Sequence, residues 1–190
     1  MARSQNRGHP LLKLLRTIRL DPSDTFVFDR PAEPGEWAVS GAFEYWDRDL
    51  GALAGKDRAA FRSGFLGIAS MGRSTLVQIV DAKEADRAEV VETLARQLVA
   101  HFGAPDVETA RAAAEEEVAF AQSLCEYPPE VLVAVHRSVE EGTIHEAFRS
   151  LQAAEKGPKR FRAFTFSEVH GEDEPEERVD LAGMIEGKRT

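Results

Sequence analysis

Apolar positions recur at helical spacing in two long stretches of the chain and at two-residue spacing in several shorter ones. From Glu84 to Phe102, the residues Val90, Val91, Leu94, Leu98 and Phe102 fall on one helical stripe, and Gly103 closes it. Asp106 is placed to cap a second helix running through Val107, Ala114, Val118, Ala121 and Leu124, and Pro128-Pro129 ends it. Asp47 to Ser63 predicts a broken helical segment with Leu50, Leu53, Ala54 and Phe61 inward, weakened by Gly51 and Gly55 and stopped at Gly64. Thr143-Ile-His-Glu146 has capping-box spacing, and Ile144, Phe148 and Leu151 follow at helical intervals, which predicts a further helix.

Alternation marks the strands. Trp37, Val39, Gly41, Phe43 and Tyr45 share one face of a long strand over Glu36–Trp46, where Gly41 marks a bulge or a close contact. Ser74–Val80 and Val131–Val139 are β-branched and apolar, and Arg160–Phe166 sets Phe164 and Phe166 opposite Phe161. Leu11–Leu20 fits two patterns. Leu11, Leu14, Leu15 and Ile18 make a stripe with basic residues opposite, as in a membrane-surface helix, while Leu12, Leu14, Ile18 and Leu20 alternate as in a strand. The turn chemistry of Asp21-Pro-Ser-Asp24 and the short run Thr25–Phe28 favour a hairpin. The expected fold is α+β: an antiparallel sheet of about five or six strands with three or four helices packed mainly on one face. Residues 1–10 are expected to be a disordered lead-in, 11–169 a single domain, and 170–190 an acidic, flexible arm.

Composition narrows the function classes. The 190 residues carry one cysteine, Cys125, which leaves no internal disulfide framework and suits a reducing cytoplasm. No apolar run approaches the ~20 residues needed to span a bilayer, and no signal-peptide core is present, so a cytoplasmic protein without a membrane partner is expected. A net charge of −9 argues against nucleic acid as a partner.

Chemistry-bearing patterns are few. Gly67-Ile-Ala-Ser-Met-Gly-Arg-Ser74 has the G-x-x-x-x-G spacing of a phosphate-binding loop, with Arg73 where that motif needs Lys. A strand rather than a helix follows it, so no aligned helix dipole supports nucleotide chemistry. Gly67, Ser70, Gly72, Arg73 and Ser74 remain candidates to cradle a small anion through backbone amides, hydroxyls and one guanidinium. The simpler structural role is a glycine-permitted connection into the strand. His136 and His145 lie near Glu140, Glu141 and Glu146, but their spacing matches no zinc pattern, and neither a metal nor another cofactor is expected. Arg62-Ser-Gly64 lacks the nucleophile-elbow pattern, Cys125 has no signature of activation, and no catalytic residue is assigned. Most of Trp37, Phe43, Tyr45 and Trp46 should be core, and any that stays exposed would suit a protein-docking patch.

Four segments carry a family resemblance: Lys13–Phe28 (KLLRTIRLDPSDTFVF), Glu36–Phe43 (EWAVSGAF), Ala60–Val80 (AFRSGFLGIASMGRSTLVQIV) and Glu141–Leu151 (EGTIHEAFRSL). In these the chain resembles a small uncharacterised proteobacterial family. That resemblance implies an accessory role beside molybdenum-dependent, formate-dehydrogenase-like redox enzymes, and it supplies no site residues. The leading expectation is a non-catalytic accessory or interaction protein with a protein partner, and self-association is compatible with it. The alternative is a small-anion or nucleotide-binding protein, in one form an enzyme, using the Gly67–Ser74 loop.

Overall fold

The computed structural model describes residues 12–153 and 164–170. Its sheet has eight strands: β1 (Leu12–Ile18), β2 (Trp37–Val39), β3 (Phe65–Gly67), β4 (Arg73–Ser74), β5 (Leu76–Ala82), β6 (Leu132–Glu140), β7 (Thr143–Ala153) and β8 (Phe164–His170). They lie in the order β4-β3-β2-β1-β5-β6-β7-β8, and every neighbouring pair is antiparallel. The helices are α1 (Ser23–Val27), α2 (Gly55–Ser63), α3 (Glu84–Phe102) and α4 (Val107–Ser123). The α+β class and the antiparallel sheet therefore stand, with more strands than the sequence predicts.

The two long helices form where their apolar stripes place them. Val90, Val91, Leu94 and Ala95 of α3 are buried with Ala110, Ala114, Val118 and Ala121 of α4, against Leu15, Val77, Ile79 and Val133 of the sheet. Asp106 caps α4 by accepting from the Thr109 amide at 2.7 Å, and those bonds hold its carboxyl below the usual carboxylate range. Gly103 ends α3 at φ 74°. Cys125 is buried just beyond α4, and burial pushes its thiol up to about 12. No described helix is long and apolar enough to cross a membrane.

Four local expectations give way to tertiary contacts. Leu12–Ile18 is a strand, but Thr25–Phe28 is not its hairpin partner. Ser23–Val27 is a single helical turn, and its Asp24 carboxylate accepts from the Thr75 amide and hydroxyl. The long strand over Glu36–Trp46 stops at Val39, because Gly41 takes φ 74° and a 3-10 turn, Ala42–Tyr45, follows. A Cβ on Gly41 would sit 2.5 Å from the Leu66 Cβ, so the glycine does mark a close approach. Ala54 is exposed rather than inward. Thr143–Leu151 is not a helix but most of β7, hairpinned to β6 through Glu141 and Gly142 at φ 50° and 80°. A two-residue turn with both central residues at positive φ matches the twist of flanking strands, and that pairing overrides the capping-box spacing. The lead-in 1–10 and the arm beyond His170 lie outside the described residues, as does Phe161.

Candidate functional site

The glycine-rich segment Gly67–Ser74 is a hairpin linking β3 to β4, with Phe65 opposite Ser74 and Leu66 opposite Arg73. It gathers backbone donors as a phosphate loop would. The group they hold is the carboxylate of Glu36. Its Oε2 accepts from the Ala69 and Ser70 amides at 2.9 and 2.8 Å, and its Oε1 from the Ser70 hydroxyl at 2.6 Å and the Glu33 amide at 2.7 Å. Gly67 leaves room for that carboxylate: an added Cβ would lie 2.5 Å from the Glu36 Cδ and push it out of the cluster of donors. Gly72 lies against the backbone of Pro31 and Ala32. The Ser70 hydroxyl also accepts from the Gly72 amide, and the Ser74 hydroxyl donates to the Leu76 carbonyl at 2.7 Å. Arg73 turns the other way, into the interior. The five candidates thus do not converge: Ser70 faces Glu36, Ser74 faces the backbone, and Arg73 belongs to a second site. Nothing in the sequence pattern marks Glu36, which reaches the loop across 34 residues of chain.

That second site is a buried ionic cluster under the end of α2. Arg137 on β6 is 1% exposed, and its guanidinium is saturated. Nε donates to Glu146 Oε1 at 2.7 Å, one terminal nitrogen to the Phe61 and Gly64 carbonyls at 2.9 Å each, and the other to the Ser40 carbonyl and hydroxyl at 2.6 and 2.9 Å. The Ser40 hydroxyl donates to the same Glu146 oxygen. Arg73 donates to the Gly64 carbonyl from the other side at 3.2 Å, pairs with Glu44, and lies 5.1 Å from the Tyr45 ring centre. Glu117 of α4 accepts from the Gly41 amide at 2.9 Å. The two arginines therefore tie β4, β6, β7 and α2 to the loops that follow β2 and α2, sharing the Gly64 carbonyl, and Glu117 brings α4 alongside through the Gly41 amide.

The electrostatics follow from that crowding. Burial pulls Arg73 down to about 9, assisted by the positive charge of Arg137 and opposed by Glu117. Burial, together with the neighbouring Glu146, raises Glu117 above the usual carboxylate range against the Gly41 amide and the two arginines. Burial also pushes the Tyr45 hydroxyl up to about 12. With its donors committed to backbone and carboxylate, Arg137 acts as a pin between elements. Sequence reading does not find it, because Val-Ala-Val-His-Arg-Ser-Val looks like an ordinary strand with one charged residue.

Two clefts open beside this cluster, between the Tyr45–Arg62 segment and the β6–β7 hairpin. The larger, about 640 Å³, is lined by Tyr45, Trp46, Leu50, Val139, Thr143 and Ile144 among others. Trp46 is 73% exposed on its rim, whereas Tyr45 beside it is 2% exposed and stacks edge-on with Phe61 at 5.1 Å. Of the aromatic group, Tyr45 is buried, Trp37 and Phe43 are half-buried, and Trp46 alone is exposed. The smaller cleft, about 310 Å³, is lined by Leu50, Leu53, Arg58, Phe61, Arg62, His136, Arg137 and Val139 among others. His145 and Glu140 are exposed at the hairpin, 4.0 Å apart. Among the described residues no three of His, Cys, Asp and Glu come together in a metal-binding group.

No curated protein and no solved structure matches the chain. Residues 12–171 match the model of a family of unknown function, DUF6505, which spans the sheet, the helices, the ionic cluster and both clefts. The chain belongs to that family.

Proposed function

We propose that the protein is a non-catalytic accessory protein that docks a protein partner through the groove beside Trp46. The observation that carries this is Trp46 itself: a large aromatic side chain 73% exposed at the rim of a 640 Å³ groove. Its backbone follows a 3-10 turn whose Tyr45 is anchored in the core. Aromatic residues on a rigid base, with apolar neighbours to exclude water, are the usual anchors of an interface. Leu50, Val139 and Ile144 supply those neighbours, and Val139 is itself 42% exposed. The fitting partner presents an apolar segment to this groove. The bacterial lineage and molybdenum-enzyme setting implied by the resemblance make a redox enzyme, during its assembly, the client to look for. A photo-cross-linking residue at position 46 tests the reading in native extract, with one at exposed Arg96 as control. One stoichiometric redox-enzyme partner, captured from position 46 and lost with Val139→Asp, is the expected outcome. Capture that is equal from both positions, or insensitive to Val139→Asp, rejects it.

A further inference from the structure

We infer that the smaller cleft is a binding site for an amphiphilic organic anion, a carboxylate or phosphate monoester carrying a short apolar chain. This goes beyond the docking groove, with which the cleft shares Leu50 and Val139 but none of its arginines. The chain as a whole is acidic at −9, yet this cleft is lined by Arg58, Arg62, Arg137 and His136, and no described carboxylate lines it. Arg58 and Arg62 stand four residues apart on α2, so their charges share one helical face. A like-charge pair at that spacing destabilises a helix unless something neutralises it. The acid within α2, Asp57, is engaged elsewhere, 3.3 Å from Arg48. Arg137 at the floor is balanced by Glu146, so the uncompensated charge is that of the α2 pair.

The geometry of the pair suits an anion. The Arg58 Nε donates to the Leu53 carbonyl at 2.8 Å, which holds that guanidinium in place and leaves its terminal nitrogens without a partner among the described residues. Arg62 makes no hydrogen bond or ion pair to a described residue, and its position in the last turn of α2 keeps it near the cleft wall. Planar guanidinium forks match carboxylate and phosphate oxygens. Behind them, Leu50, Leu53, Phe61 and Val139 form an apolar wall, and 310 Å³ is the size of a small-ligand site rather than of a single inorganic ion. Charged mouth and apolar wall together specify an anion with a hydrocarbon tail.

Titration calorimetry with octanoate and with octyl phosphate, using the full chain at low salt, tests this, with octanol as the uncharged control. Saturable binding of at least one of the two anions and none of octanol is expected. Arg58→Gln and Arg62→Gln should each weaken it by about tenfold, as expected for the loss of one charge-assisted hydrogen bond partly screened at an open site. Both side chains are exposed, so Arg62→Gln should keep the parent melting temperature, Arg58→Gln should stay folded although it gives up the bond to the Leu53 carbonyl, and Trp46→Ala should leave binding intact. Absence of saturable binding by both anions at millimolar concentration overturns the inference, as does octanol binding equally well. Binding unchanged in the Arg58→Gln/Arg62→Gln double variant also overturns it. Loss of the docking partner in the cross-linking experiment bears on none of these readings.

Discussion

Between α3, α4 and the central strands, the interior consists of Leu15, Val77, Ile79, Leu94, Val118 and Val133, each 1% exposed or less. Under Gly64, in the same molecule, equally deep positions hold Arg137, Ser40 and, at 5%, Arg73. The first region is stabilised by apolar area, which is non-directional and spread over many side chains. The second contributes little net area but fixes geometry, because each guanidinium nitrogen needs its own oxygen. Buried charges are tolerable only when paired and hydrogen-bonded, so the ionic region concentrates its consequences in single residues. The basic face of α2 shares its cleft with Arg137, and exposed Trp46 follows Tyr45, whose ring lies beside Arg73.

The sharpest way to break this contrast is to truncate one residue on each side. Arg137→Ala removes five donated hydrogen bonds and leaves Glu146, 16% exposed at its side chain, without its cation. Stranding one member of a buried pair typically costs about 3–5 kcal/mol. The expected loss lies at the upper end, since the Phe61 and Ser40 carbonyls also lose this donor and the Gly64 carbonyl keeps only the bond from Arg73. Leu94→Ala leaves an apolar cavity that neighbouring side chains partly fill, and a loss of roughly 3 kcal/mol is expected. Urea unfolding of both variants checks the order. An Arg137→Ala loss smaller than that of Leu94→Ala would mean that the ionic cluster is solvated, and the contrast drawn above would fail.

The same contrast explains which parts of the structure could be read in the sequence. Apolar packing leaves a periodic trace, so α3, α4, β1, β5 and β6 were legible from residues such as Val90, Leu94, Val118 and Val133. Ionic geometry leaves none. Arg137 reaches Phe61, Gly64 and Ser40 across 76, 73 and 97 residues, and no local pattern encodes those distances. Where local signals misled, a specific contact had displaced them. Asp24 is tied to Thr75, so Thr25–Phe28 closes a helical turn, and the Glu141-Gly142 turn pairs Thr143–Leu151 with β6. The loop Gly67–Ser74 was legible as a cluster of amides suited to an anion. What could not be read was that Glu36 already occupies it.

A smaller effect is expected at that loop, which lies nearer the surface than the arginines but uses the same kind of satisfied charge. Glu36→Gln keeps one acceptor oxygen where two are needed: with its carbonyl toward the Ala69 and Ser70 amides, its amide nitrogen meets the Glu33 amide, from which it cannot accept. A loss of about 1–2 kcal/mol is expected, the scale of a hydrogen bond to a charged group at a partly exposed site. Glu36→Ala tests the anion reading directly, by emptying the cluster of donors. If the loop prefers an anion, inorganic phosphate should raise the melting temperature of this variant and leave the parent chain unchanged. A parent chain that responds to phosphate as strongly as the variant would instead favour an anion site beyond the Glu36 carboxylate.

The smallest expected effect probes the charge count within the ionic cluster. Arg73 and Arg137 face three carboxylates, those of Glu44, Glu117 and Glu146, so one acid is in excess. Glu117 is the one that burial raises, and Glu146 nearby adds to the shift. An acid whose value is higher in the folded chain binds its proton more tightly there. Its contribution to stability is therefore complete below the unfolded value of about 4.5 and is lost as pH rises through the folded value. Glu117→Gln abolishes that titration while its side-chain carbonyl still accepts from the Gly41 amide. The stability of the variant relative to the parent should consequently improve as pH is raised from 4.5 toward neutrality, with little change in the folded structure. Urea midpoints measured at several pH values would show it. Parallel curves for parent and variant would place the excess negative charge in water, on Glu44, and the cluster would then be neutral within its buried part.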